Sequence, residues 1–141
     1  MISTVLGSCV AVCLWDKVLY AGGMNHFLLP LCKGGPPSPR YGDIAVAMLL
    51  ENMAALGCRM DNLRAKVFGG AAVLPFGAQE TVGTQNLAIA LAVLQQHGVP
   101  VVARRTGGQR GLFLRFHTTA GRVMVRELAA QAGSEQEVVR V

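Results

Sequence analysis

Apolar residues run almost without interruption from position 5 to position 15. Asp16-Lys17 break the run, and residues 18–29 follow it, rich in Val, Leu and aromatic side chains. Residues 10–15 and 18–29 therefore predict two strands joined by a tight turn. Pro30, Gly34-Gly35-Pro36-Pro37 and Pro39 make 30–42 a loop, because proline fixes φ and removes a backbone donor. Asp43 is placed to cap a helix that runs to about Leu56 and stops at Gly57. Val46, Leu49, Leu50 and Met53 leave most of its circumference apolar, which predicts a helix covered on more than one side. Residues 63–68 predict a strand ending at Gly69-Gly70.

Leu87, Leu91 and Leu94 recur at helical spacing in a second helix over about 84–97, which Gly98 caps and Pro100 ends. Residues 99–103 read as a short buried strand. Leu112, Leu114 and Phe116 alternate with Phe113, Arg115 and His117, so 112–117 and 122–128 predict a hairpin across 118–121. The polar stretch 131–136 predicts a frayed tail. The pattern as a whole is that of an α/β (α+β) domain, two main helices layered on a largely antiparallel mixed sheet.

Composition narrows the class. A chain of 141 residues fits one compact domain. It is 52% hydrophobic and 15% charged, the opposite of what disorder requires. So few charges imply either an unusually apolar surface or a surface that something else covers. The net charge of +5 invites a nucleic-acid partner. The basic residues are scattered, however, and no aromatic residues are interleaved with them as a stacking platform. A solvated surface, or attraction to an acidic protein partner, fits better. The apolar run at 5–15 is well short of the roughly 20 residues of a membrane span. It also lacks the basic flank and cleavage site of a secretory signal. Cys9, Cys13, Cys32 and Cys58 sit in a chain large enough not to need disulfide staples. The expectation is a cytoplasmic protein with reduced thiols and no membrane insertion.

Gly7-Ser8-Cys9 lies where the chain turns into its first clear strand. Small residues there let a carbonyl approach the sulfur, and free N–H groups at the turn could bind a developing oxyanion. A thiol nucleophile needs a base, since the thiolate is the reactive form. His26 supplies one if the two strands pair, because Cys9 lies just before one strand and His26 late in the other. Ser3 and Thr4 offer hydroxyls that could orient the imidazole. A single cysteine is more often a buried core residue, and that remains the reading of Cys13, Cys32 and Cys58. His97 and His117 read as structural. Cys9 and Cys13 are a poor zinc pair, since residues four apart on a strand are about 13 Å apart. Gly69-Gly70 lacks the Gly-x-Gly-x-x-Gly pattern of a dinucleotide loop.

The stretch from Leu6-Gly7-Ser8-Cys9 to Cys13, with Asn25-His26-Phe27-Leu28-Leu29-Pro30, resembles the chemoreceptor glutamine deamidase family, CheD. The likeness continues through Arg40-Tyr41-Gly42-Asp43, Lys66-Val67-Phe68-Gly69-Gly70-Ala71, the helix start from Val82-Gly83 to Asn86, Gly107-Gly108-Gln109-Arg110-Gly111 and Thr119-Ala120-Gly121-Arg122-Val123. The resemblance implies hydrolysis of the side-chain amides of selected glutamines on methyl-accepting chemotaxis receptors, through a thioester and without metal or organic cofactor. It implies a catalytic cysteine at Cys9, a histidine at His26 and a threonine at Thr4, with Ser3 the alternative that keeps only the hydroxyl. It implies a layered α/β sandwich similar to the deamidase domain of cytotoxic necrotising factor toxins. The implied partners are the cytoplasmic helices of receptors and a CheC-type phosphatase. The competing implication is a non-catalytic module that regulates such a phosphatase. Members carry a further N-terminal segment with a strand, whereas this sequence starts at Met1, a few residues before Cys9. The expectation is therefore one domain over 1–141 that lacks that segment.

Overall fold

A computed structural model describes residues 1–72, 81–129 and 138–141. In chain order they form β1 (Ile2–Leu6), β2 (Val10–Asp16), β3 (Ala21–Phe27), α1 (Gly42–Ala55), a 3-10 turn (Met60–Asn62) and β4 (Leu63–Gly69). Then come α2 (Val82–Gln96), β5 (Val101–Thr106), β6 (Leu112–Phe116), β7 (Val123–Glu127) and β8 (Val138–Arg140). No helix among the described residues is long and apolar enough to cross a membrane.

The strands form two sheets, where the hydrophobic pattern predicts one. A central sheet has the order β3-β2-β4-β5, antiparallel except for the parallel β4–β5 pair. An outer sheet has the order β1-β6-β7-β8 and is antiparallel throughout. The helices cover one face of the central sheet and the outer sheet covers the other. Val10, Val12 and Leu14 of β2 face the helices, among Val46, Leu50 and Leu94. Ala11 and Cys13 face the outer sheet, among Leu114, Phe116 and Val125. A strand covered on both faces reads as a continuous apolar run, which is why 10–15 shows no alternation. Burying each of the Val, Leu and Phe side chains among them contributes about 1.5–3 kcal/mol.

Several boundaries shift for local reasons. Residues 18–20 belong to the β2–β3 turn. Asp16 Oδ1 accepts from Val18 N at 2.8 Å and Leu19 N at 2.9 Å, and Tyr20 takes a left-handed φ of 54°. Tyr41, not Asp43, is the N-cap of α1, with no side-chain cap bond. The Asp43 carboxylate accepts from Ile44 N and from Cys32 N, tying the preceding loop to the helix start. Gly57 follows α1 with a φ of 95°, as its place after the helix predicts. α2 begins two residues earlier than its leucine spacing suggests, because Thr81 accepts from Thr84 N and caps it. β5 is an edge strand rather than a buried one, with Val102 54% exposed. The 112–117 and 122–128 hairpin is present as β6 and β7. The sequence pattern singles out neither β1 nor β8. The predicted frayed tail at 131–136 lies outside the described residues.

Candidate active site

β1 is an edge of the outer sheet and β3 an edge of the central sheet. The chain passes from β1 into β2 through Gly7-Ser8-Cys9, so this crossover joins the two sheets. Each of its carbonyls is held. Ala71 N donates to Gly7 O at 3.0 Å and Gly70 N to Cys9 O at 2.9 Å. The Asn86 side chain, in the first turns of α2, donates to Ser8 O at 3.1 Å. In a trans peptide the N–H points opposite to the carbonyl. Holding the Gly7 and Ser8 carbonyls against the Gly70-Ala71 segment and α2 therefore aims the Ser8 and Cys9 N–H groups to the other side.

The close approach of these segments needs glycine. A Cβ on Gly83 of α2 would stand 2.5 Å from Gly70 O and 2.8 Å from Ala71 O. Gly70 itself has a φ of 73°, in the left-handed region that glycine tolerates.

The predicted pairing of the first two strands is present, with Ala11 opposite His26 and Val10 opposite Phe27. Cys9 shares the inter-sheet face with Ala11 and Cys13. It is thus the diagonal neighbour of His26, a spacing that side chains on one face can span. On β1 the side chains alternate. Thr4 looks inward like Leu6, while Ser3 and Val5 are exposed. Thr4 Oγ1 lies 2.9 Å from His26 Nδ1. Ser3 is on the other face, opposite Arg115 in the β1–β6 register. The thiol and the imidazole come to the same end of the sheet without a hydrogen bond between them. Burial pushes the Cys9 thiol up, opposed by its own backbone N–H, and burial lowers the His26 pKa. Both shifts favour neutral resting forms of the thiol and the imidazole.

The remaining candidates fall elsewhere. Cys13 is buried in the inter-sheet core, and its burial, opposed by nearby Lys66, pushes its pKa up to about 12. Cys58 is buried beside Asp16, and burial and that carboxylate both raise it. Cys32 lies in the loop before α1, its thiol directed at Gly35 O and Pro36 O. His97 closes α2 with Nδ1 on Val93 O, and His117 follows β6. No group of three His, Cys, Asp or Glu among the described residues is arranged to hold a metal ion. In the sequence Asn86 stands out only as part of the resemblance at the start of the second helix. Its signal is that it is polar and fully buried at a helix start.

Comparison with known proteins places the chain among relatives of one kind. The model of the family described as "CheD chemotactic sensory transduction" matches residues 29–127. That stretch begins after Cys9 and His26, so it likens the chain to the family through the helices and the later strands. A Rhodospirillum rubrum protein named "Probable chemoreceptor glutamine deamidase CheD" is 58% identical over 129 residues, covering 91% of this chain and 73% of that protein. A Sulfurimonas denitrificans protein of the same name is 46% identical over 129 residues, covering 89% and 83%. An Anaeromyxobacter dehalogenans protein, named as a "CheD 1" of the same kind, is 48% identical over 128 residues, covering 90% and 75%.

Proposed function

The chain belongs to the CheD family, and on that footing we propose that it hydrolyses the side-chain amide of chemoreceptor glutamines, releasing ammonia and leaving glutamate. Cys9 is the nucleophile, His26 the general base and acid, and Thr4 the group that orients the imidazole. The bond between Thr4 Oγ1 and His26 Nδ1 is the observation that carries this reading. With Nδ1–H donating to the threonine oxygen, Nε2 is left unprotonated as the nitrogen that accepts the thiol proton. The resting forms suit this division, since a neutral imidazole can take a proton from a neutral thiol.

The thiolate attacks the amide carbon, and the carbonyl electrons move onto oxygen. The N–H groups of Ser8 and Cys9, directed away from their anchored carbonyls, stabilise that oxyanion. The imidazolium protonates the departing nitrogen, the C–N bond breaks, and ammonia leaves a thioester on Cys9. His26 then takes a proton from water, whose oxygen attacks the thioester carbon. Collapse releases the glutamate carboxylate and returns the thiol. The same reading extends the fold likeness to the deamidase domain of cytotoxic necrotising factor toxins.

Incubation with a receptor cytoplasmic fragment, followed by peptide mass spectrometry, tests the proposal. Conversion of glutamine to glutamate that disappears with Cys9→Ala is the expected result. Full conversion by Cys9→Ala removes Cys9 as nucleophile. No turnover, together with tight binding of a CheC-type phosphatase, replaces the enzyme with a regulatory module.

A further inference from the structure

We propose that Asn86 is a positioning residue that sets the distance between the Cys9 loop and the His26 strand. The proposal rests on the reading of Cys9 and His26 as the reacting pair. Asn86 is fully buried, and its side-chain nitrogen donates to two carbonyls, Ser8 O at 3.1 Å and Leu28 O at 3.0 Å. Both partners are acceptors, so the NH2 end must face them and both of its hydrogens are used.

The two carbonyls are a matched pair. Ser8 O belongs to the peptide whose N–H is that of Cys9. Leu28 is two residues beyond His26 on the same strand path. The β2–β3 ladder ends with Val10 opposite Phe27, so the next rung, Cys9 opposite Leu28, has no strand pairing. The Asn86 amide stands in for that missing rung. It holds together the two chain ends whose separation fixes the Cys9–His26 diagonal. It also fixes the direction of the Cys9 N–H, by holding the carbonyl on the far side of the same peptide. A leucine could fill the volume but could join neither carbonyl. A buried amide in an otherwise apolar helix face is unfavourable unless it is hydrogen-bonded; both Asn86 bonds go to the site, while its Oδ1 is buried without a partner.

The test uses the whole chain and two readouts. Asn86→Ala and Asn86→Ser, which keeps one donor, are compared with Leu94→Ala. Leu94 is fully buried two turns further along α2, and its side chain has no group that could hydrogen-bond the crossover's carbonyls. kcat and KM are measured on a receptor fragment. The rate of Cys9 alkylation by iodoacetamide is followed against pH by peptide mapping, which needs no turnover. Asn86→Ala is expected to lower kcat by about 100-fold, the scale of a 1 Å misplacement, with KM little changed. The Cys9 alkylation profile moves in pH, and Asn86→Ser falls between. Leu94→Ala keeps its kcat and alkylation profile below its melting temperature. Folded Asn86 variants with wild-type kcat and profile overturn the proposal. So does an equal loss in Leu94→Ala, or failure of both Asn86 variants to fold. If Cys9→Ala stays active, the reaction assignment fails, while the alkylation profile still reports whether Asn86 positions the loop.

Discussion

Thr4 and Ser3 carry the same hydroxyl and differ by one position, which on a strand means opposite faces. The β1–β6 register puts Thr4 on the inward face, where it meets His26, and Ser3 opposite Arg115. Thr4→Val is expected to lower kcat by about 10- to 100-fold through loss of imidazole orientation. Thr4→Ser should restore most of it, and Ser3→Ala should leave kcat unchanged, all measured on a receptor fragment. This choice could not be read from sequence, because a one-residue slip exchanges the two faces. The register is set by β6, which is over 100 residues away along the chain. Cys9 and His26 were legible, since a small-residue turn before an apolar strand and a histidine late in the next one need only local pairing. The pH dependence follows from burial. The proposed mechanism requires neutral His26, whose pKa lies below its ordinary 6.5. Protonation therefore removes activity only as pH falls through that lowered value. The acid limb of kcat/KM should lie below pH 6.5. A limb at or above that value contradicts a burial-lowered imidazole.

Among the elements, α2 shows why its start was misread. Gly83 looks like a helix breaker, yet it lies inside the helix because Gly70 and Ala71 press against it. Gly83→Ala forces a Cβ into backbone atoms that cannot turn aside, an overpacking of about 1–3 kcal/mol. The same push displaces Gly70 and Ala71, the donors that hold Cys9 O and Gly7 O. Urea denaturation should show the stability loss, and kcat should fall with it. Thr81→Ala removes the cap bond to Thr84 N, which typically costs about 1 kcal/mol. Its kcat should stay near wild type, separating a weaker helix from a displaced loop. α2 and the β6–β7 hairpin were visible as periodicity, because each presents its apolar face with its own period, whereas α1 was visible from the residues that bound it, Asp43 and Gly57. β5 was read as buried because a short apolar run looks the same at an edge as in a centre.

At the scale of the whole molecule, the scarcity of charge has a physical account. Three layers have two interfaces, and the middle sheet supplies apolar side chains to both. The second interface was not legible, since alternation in 112–117 shows that one face is buried but not what covers it. Phe116 is fully buried between the sheets. Phe116→Ala should cost about 3–5 kcal/mol, read as a lower urea midpoint. The sheets also divide the site: Thr4 stands on one, His26 on the other, and Cys9 on the crossover between them. During synthesis residues 2–9 leave the ribosome long before 112–116, the strand that must receive β1. On the proposed assignment, the nucleophile is made early and armed late. A nascent chain carries its thiol without an oriented base, and full reactivity waits for nearly the last secondary structure to form.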